Sequence, residues 1–296
     1  MKKCTIKRNR KNKIKEAATV KAAKIVASCL FVIYSITILL PFVWMILSTL
    51  KAPMDYQLNK FALPKEWLFS NYKSAFYTLV DETTDTSMFE MLFNSLWWSL
   101  GGGFLTTATS TLLAYAIAKF KFRGRNLIYG TALFTMLLPI YGTMPANMVL
   151  LNDLKLYNSP LILITCCAGF GGDFIMLYAV FKSVSWSYAE AAYIDGANHF
   201  KVFFSIMLPM AITPVLALYI MSVMSRWNDY MTCILYFPDW PTIPAGLFSY
   251  QIVHQRDANM PVLFAGLLLC MIPPLILFIA LQNKLSSLTI SGGLKG

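Results

Sequence analysis

The sequence predicts an all-α integral membrane protein with six transmembrane helices and both termini in the cytoplasm. Three observations carry that prediction. The 296 residues are 57% hydrophobic and 13% charged, whereas soluble domains average about 45–50% apolar and about 25% charged residues. Apolar runs recur at lengths near the ~20 residues needed to cross ~30 Å of hydrocarbon. Lys and Arg are concentrated in alternate connecting segments. Together these exclude a soluble domain and a disordered chain. The net charge of +11 does not signal a nucleic-acid partner, because residues 1–24 hold ten Lys or Arg and one acid, leaving only +2 for the remainder. The basic residues form a local tail beside a membrane, with no RNA-binding motif after it.

The elements follow in order. Residues 1–24 form the basic cytoplasmic tail. Residues 25–50 are uncharged throughout, longer than the ~7–15-residue core of a signal peptide and without an A-x-A-like cleavage site, so they read as a retained first span. Residues 51–90 are a polar outer segment with six acids. Residues 91–282 are the core, holding spans two to six at 91–118, 126–151, 161–181, 206–225 and 259–282, with an inner loop at 183–209. The outer segment 227–258 is rich in aromatics and proline, and residues 283–296 close the chain as a cytoplasmic tail. With the N-terminus inside, the inner segments carry 18 basic residues and the outer ones six, which fixes the orientation. Arg226 falls at the outer end of span five, where it can snorkel to the interface. No internal repeat is visible, so the inverted-repeat signature of many secondary carriers is missing.

Metal and disulfide chemistry find no support in the sequence. Its six cysteines make no CxxC pair. Four of them sit in apolar runs, where cysteine acts as a small hydrophobe. The two histidines, His199 and His254, are far apart.

The inner loop is the informative stretch. Ser187 and Glu190 have capping-box spacing. Ala191 and Ala192 leave little bulk, so another surface can approach closely. Asp195-Gly196 ends the first helix, glycine being able to adopt the left-handed conformation there. Phe200, Phe203, Phe204 and Met207 then recur at helical spacing. The result is a bent helical finger suited to a partner's groove.

The pattern E-A-A-x3-G-x9-I-x-L-P occurs here as Glu190-Ala191-Ala192, Gly196, Ile206 and Leu208-Pro209. It resembles the EAA loop of type I ABC importer permeases, whose fold is called MetI-like. Further stretches resemble the carbohydrate-importer permeases of the maltose type, the MalG-like branch. They are Pro41-Phe-Val-Trp44 with Ser48 and Lys51, Leu63-Pro64 with Asn71-Tyr72, Trp227-Asn228-Asp229, Thr242-Ile-Pro244-Ala-Gly246-Leu247, and the glycine-rich end Ser291 to Gly296. One departure is Thr213, where the family often has proline; here the proline falls at Pro214.

The resemblance implies a permease subunit that works with a second homologous permease as a heterodimer, two ATPase subunits and an extracytoplasmic sugar-binding protein. ATP and Mg are then used by the partners, and this chain binds no cofactor and is not an enzyme. In agreement, it has no G-x4-G-K-[ST] loop to cradle phosphates. The coupling residues implied are Glu190, Ala191, Ala192, Asp195, Gly196, Ala197, Phe200, Phe203, Leu208 and Pro209, with Glu190 meeting a basic residue of the ATPase. His199 and Lys201 read as solvated flank. The tail residues Gly292, Gly293, Lys295 and Gly296 are expected to reach between the ATPase subunits. Trp240, Thr242 and Tyr250 are implied binding-protein contacts.

Two readings stand for Trp97 and Trp98, an interfacial aromatic belt or a sugar-stacking surface in the path, and the belt also accommodates Trp227 and Tyr230. Asp173, a carboxylate within span four, reads as a path residue accepting sugar hydroxyls or as a group paired with the second permease or with structural water. The preceding Gly169-Phe-Gly171-Gly172 can unwind that helix. Gly101, Gly102 and Gly103 read as a site of close helix packing. The competing functions are a type I importer permease for a non-sugar solute and, from a different class, an ion-coupled secondary transporter.

Overall fold

The computed structural model describes residues 18–81, 83–138, 143–167, 169–254 and 258–292. Most of residues 1–24, Pro139, Arg256 and the tail residues Gly293, Lys295 and Gly296 lie outside the described residues.

Helix α1 (Ala18–Thr49) carries Pro41 without a break. Helices α2 (Pro53–Leu58) and α3 (Ser70–Thr78) fall in the segment expected to be outer. Span two is α4 (Met88–Leu96), a π-helical turn at Trp97–Gly101, and α5 (Gly102–Lys119). Helices α6 (Arg125–Leu137) and α7 (Thr143–Asp153) follow, then a 3-10 segment at Pro160–Cys166 and α8 (Gly172–Ser183). The finger is α9 (Ser187–Ile194) and α10 (His199–Val202), and a π turn at Phe203–Met207 joins it to α11 (Leu208–Trp227). The chain ends with α12 (Tyr230–Tyr236), α13 (Ile243–Val253) and α14 (Met260–Gly292).

Four helical stretches among the described residues are long and apolar enough to cross a membrane: Val20–Thr49, Met88–Lys119, His199–Trp227 and Met260–Ala280. These match spans one, two, five and six. The expected spans three and four are not continuous helices. The first is divided into α6 and α7. The second is a 3-10 segment and then α8, with Gly171 at φ +147° just before α8. The glycine cluster 169–172 accounts for the second break, since a residue without Cβ pays little for such a conformation. The last helix also runs beyond the expected end of span six, because no Gly or Pro follows Pro274 until Gly292.

Helix α5 lies at the centre, packed on α8 and α11, while α1 leans on α14. The glycine run makes this possible. A Cβ on Gly103 would stand 2.8 Å from Val223 Cγ2, and one on Gly102 3.0 Å from Arg226 Cδ. Small residues let α5 and α11 approach as membrane helices do, where packing rather than water exclusion drives association. The outer segment is tied to the end of α1 by polar bonds. The fully buried Lys51 donates from Nζ to the carbonyls of Asn59 (2.8 Å) and Lys60 (3.1 Å). Asn71 Nδ2 donates to the carbonyls of Thr49 (2.7 Å) and Lys51 (2.8 Å).

Candidate functional site

The finger begins one residue earlier than its sequence suggests. Trp186 is the N-cap, with no side-chain bond, so Ser187 already lies in the first turn and cannot cap it. Its hydroxyl pairs instead with Ser185 Oγ at 2.8 Å, and Glu190 is left exposed. The expected capping box is therefore absent here. That device forms at Ser87 and Glu90, at the start of α4.

The bend forms as expected. Gly196 has φ +79°, a left-handed conformation that costs a residue with Cβ roughly 1–2 kcal/mol. Its N–H donates to the Tyr193 carbonyl (3.0 Å) and the Ala197 N–H to that of Ala192 (2.9 Å). Asn198 then caps α10 by accepting from the Lys201 N–H at 2.8 Å.

The aromatic stripe divides in two. Phe203 and Met207 are buried in a core built from α5, α8, α9 and α11, where the Phe203 ring lies 4.8 Å from that of Tyr115. Phe200 and Phe204 face outward, 76% and 58% exposed. Tyr188 and Ile194 are also exposed, so apolar side chains are exposed on both sides of the bend, whereas Ala189 is wholly buried. Ala191, Asp195 and Pro209 are exposed; Ala192, Ala197 and Leu208 are half-buried. His199 is more than solvated flank. It bonds Tyr193 and packs edge-on against Phe120, with centroids 5.9 Å apart. Lys201 is exposed.

The finger is continuous with α11. The Leu208 N–H bonds to the Phe203 carbonyl, five residues back. This wider π turn falls just before Pro209, which has no N–H and would clash with the carbonyl four residues back in an unbroken α-helix.

The other candidates are scattered. Gly292 is the last described helical residue. Asp173 is half-buried in the first turn of α8, where the helix dipole favours a carboxylate, and it lies within the electrostatic reach of Arg226. Trp98 does not belong to a lipid-facing belt. It is 2% exposed, packed on Phe237 at 4.9 Å. Trp97 is half-buried beside it. Trp227 also points inward, 4% exposed, and its Nε1 donates to the Cys270 carbonyl at 3.2 Å. Tyr230 stacks on Phe248 at 4.6 Å.

On the outer segment, Trp240 is 40% exposed and available to a partner. Tyr250 is half-buried against His254. Thr242 is 2% exposed, which withdraws it from any surface contact. It is the N-cap residue of α13, and its backbone N–H points to Cys233 Sγ at 3.4 Å. Burial pushes the Cys233 thiol up to about 11. Nearby, burial raises Asp81, but hydroxyls of Thr83, Thr84 and Ser249 donate to it and hold the carboxyl below its usual value.

Sequence reasoning missed Arg226. Instead of snorkelling outward, it turns inward over Trp98, 5.2 Å from the ring centroid, and donates from Nη2 to Thr106 Oγ1 at 2.7 Å. The signal available was Gly102, whose missing side chain leaves the room Arg226 occupies.

Comparisons with known proteins agree on one family. The model for the binding-protein-dependent transport system inner membrane component matches residues 109–290. Among curated relatives, the probable ABC transporter permease protein YurM of Bacillus subtilis is 30% identical over 268 residues, covering 89% of this chain and 86% of the relative. The diacetylchitobiose uptake system permease protein NgcG of Streptomyces coelicolor is 27% identical over 272 residues, covering 90% and 87%. The probable starch degradation products transport system permease protein AmyC of Thermoanaerobacterium thermosulfurigenes is 24% identical over 275 residues, covering 92% and 97%. A crystal structure of a bacterial ABC transporter involved in import of the acidic polysaccharide alginate shares the fold, with a TM-score of 0.77 over 90% of this chain and 98% of that one at 22% identity.

Proposed function

The chain belongs to the family of binding-protein-dependent transport system inner membrane components, and from that premise we propose that it is the permease subunit of an ATP-driven carbohydrate importer whose finger receives the mechanical stroke of a separate ATPase. The observation that carries the coupling role is the finger's construction. An apolar knob of Tyr188, Ile194, Phe200 and Phe204 is exposed around Gly196, and from His199 onward the chain runs without interruption into α11. Exposed apolar groups clustered in this way mark a docking surface. A push on the knob is carried along α11 to the level of Arg226, because the helical stretch stays continuous through the π turn and Pro209.

The carbohydrate cargo is supported by the relatives, whose names include diacetylchitobiose and starch degradation products. Residues 1–24 and 283–296 are placed in the cytoplasm, by the excess of basic residues on that side. The chain crosses six times, the third and fourth crossings being the divided helices α6–α7 and the 3-10 segment with α8. Non-helical backbone at membrane depth is tolerated where protein or a water-lined path surrounds it. At ~1.5 Å per residue, the 33 residues of α14 reach ~50 Å. That exceeds the ~30 Å of hydrocarbon, so the end of α14 at Gly292 extends beyond the membrane, on the side proposed for the ATPases.

The partners are a second permease, two ATPase subunits that use ATP and Mg, and an extracytoplasmic binding protein that touches Trp240. The test is reconstitution of these components in liposomes with labelled maltotriose, N,N′-diacetylchitobiose and arabinotriose. ATP-dependent accumulation of at least one, lost when Phe200→Glu prevents the ATPase from co-purifying, supports the reading. Uptake driven by an ion gradient without ATP overturns it.

A further inference from the structure

Lys119, Lys121, Arg123 and Arg125 alternate with Phe120, Phe122 and Gly124 where α5 turns into α6, and residues 91–152 contain no Asp or Glu. The turn is anchored on one side. Lys119 Nζ donates to the Val184 carbonyl, and the Phe120 ring packs on Trp186 and His199 with centroids 6.0 and 5.9 Å apart. These contacts set the turn beside the base of the finger. Beyond Phe120 the side chains face outward: Lys121, Phe122 and Arg123 are exposed and Arg125 is half-buried. An open groove of about 410 Å³ lies here, bordered by Lys121, Phe122, Arg125, Asn126 and Leu127.

The charges are unmatched within the chain. Among the described residues, the side chains of Lys121, Arg123 and Arg125 make no ion pair or hydrogen bond. The acids of the neighbouring finger, Glu190 and Asp195, are exposed and pair with none of them. A fourth cation comes from α8. Lys182 Nζ lies 5.6 Å from the Tyr178 ring centroid, and Tyr178 stacks at 4.6 Å on Tyr129, one turn along α6 from Arg125. Apolar side chains lead away from this charge. Leu127, Phe134 and Leu138 follow at i, i+7 and i+11 and are all exposed, so they form one stripe along the helix. The 13 residues of α6 rise ~20 Å, enough to traverse one leaflet of a hydrocarbon layer ~30 Å thick.

We propose that this surface binds an anionic phospholipid, with Lys121, Arg123 and Arg125 around the phosphate and the acyl chains along Leu127, Phe134 and Leu138. Guanidinium groups hold phosphate oxygens through charge-assisted, often bidentate bonds. The junction of charge and apolar stripe selects the occupant. An acidic patch on a soluble partner would answer the cations and leave the stripe uncovered, and a free phosphate would do the same. A phospholipid carries both chemistries in the order the surface presents them. The long apolar stretch Met88–Lys119 ends where the turn begins, which puts the cations at headgroup level. Basic segments in that position are drawn to anionic leaflets. Through Phe120 the bound lipid would adjoin the base of the finger.

The proposal rests on the membrane placement and not on the cargo, so failure of sugar uptake leaves it standing and failure of lipid capture leaves the importer reading standing. The complete transporter, with p-benzoyl-phenylalanine in place of Phe122, is reconstituted in vesicles of three parts phosphatidylcholine to one part phosphatidylglycerol and photolysed. Crosslinking to phosphatidylglycerol well above its share of the lipid is expected. Lys121→Gln and Arg123→Gln, both at exposed positions, should each lower that yield about fivefold, the contribution of one basic residue at an anionic surface. Lys73→Gln, exposed on α3, should leave it unchanged. Capture of the two lipids in proportion to their abundance overturns the proposal, as does an unchanged yield in the Lys121→Gln/Arg123→Gln double variant. Crosslinking to an ATPase subunit instead of lipid assigns the surface to that partner and overturns it. Loss of the phosphatidylglycerol adduct on adding inorganic phosphate, but not the same ionic strength of chloride, marks a free-anion site and also overturns it.

Discussion

The hydroxyl of Tyr193 lies 2.7 Å from Nδ1 of His199, closing the finger across its bend. Tyr193 is on α9 and His199 opens α10, with Gly196 between them. The two arms are therefore tied by a side-chain bond above a backbone turn.

Gly196 is required for its backbone conformation rather than for lack of space, since nothing lies within 4 Å of a Cβ placed there. Gly196→Val is expected to add roughly 1–3 kcal/mol of local strain, leaving the chain inserted in the membrane but uncoupling import. Gly196→Asn, better tolerated in the left-handed region, is expected to retain more activity. Immunoblots of membrane fractions beside uptake rates check this, and import at the wild-type rate by the valine variant would remove the bend from the mechanism.

The phenylalanines of the stripe separate stability from docking. Phe203→Ala empties a core position and is expected to cost about 3–5 kcal/mol, visible as a lowered unfolding temperature in detergent. Phe200→Ala is expected to leave that temperature unchanged while weakening retention of the ATPase in a pull-down. Equal effects on both readouts for the two variants would contradict the division into core and knob.

Asn71→Ala removes two buried bonds to the carbonyls of Thr49 and Lys51. At about 0.5–1.5 kcal/mol for each bond, with more for acceptors left unsatisfied, a loss of roughly 1–3 kcal/mol is expected. The outer segment should then become more open to limited proteolysis near residues 59–69. Unchanged protease resistance would show that the bonds of Asn71 are not needed to hold α3 against α1, which the Thr49–Tyr72 and Leu68–Leu50 bonds also join.

Acid should loosen the outer segment through Asp81. Burial raises its pKa, but the donors from Thr83, Thr84 and Ser249 outweigh that and bring it below the ordinary 3.8. The folded form thus binds this proton less readily than the unfolded chain, so the stabilisation is full above the ordinary value. It is lost as pH falls through the lower folded value. Asp81→Asn is expected to flatten the acid limb of the stability profile below about pH 4. A limb identical to wild type would mean that other carboxylates control acid unfolding.

The sequence made some of this legible and concealed the rest for identifiable reasons. The four long spans were readable because hydrophobic run length is a local property, and the bend at Gly196 because positive φ favours glycine. The division of span four was readable in its glycine cluster. The capping box at Ser187 was misread because the helix start depends on the Trp186 backbone, one residue earlier. Trp98, Trp227 and Thr242 were assigned to surfaces because composition alone cannot tell which side of a helix faces a neighbour.

Run length marked this as a membrane helix protein, and the spacing from Glu190 to Pro209 carried its bent finger and its resemblance to the permease family. These are properties of neighbours along the chain, and they survive without knowledge of the fold. Only the tertiary structure decided which ring of the stripe is core and which is knob. It also turned Arg226 inward, because Gly102, Thr106 and Trp98 meet that side chain from helices more than a hundred residues away in sequence. Where a charge goes in an apolar protein depends on who can solvate it, and that is settled only when distant segments pack.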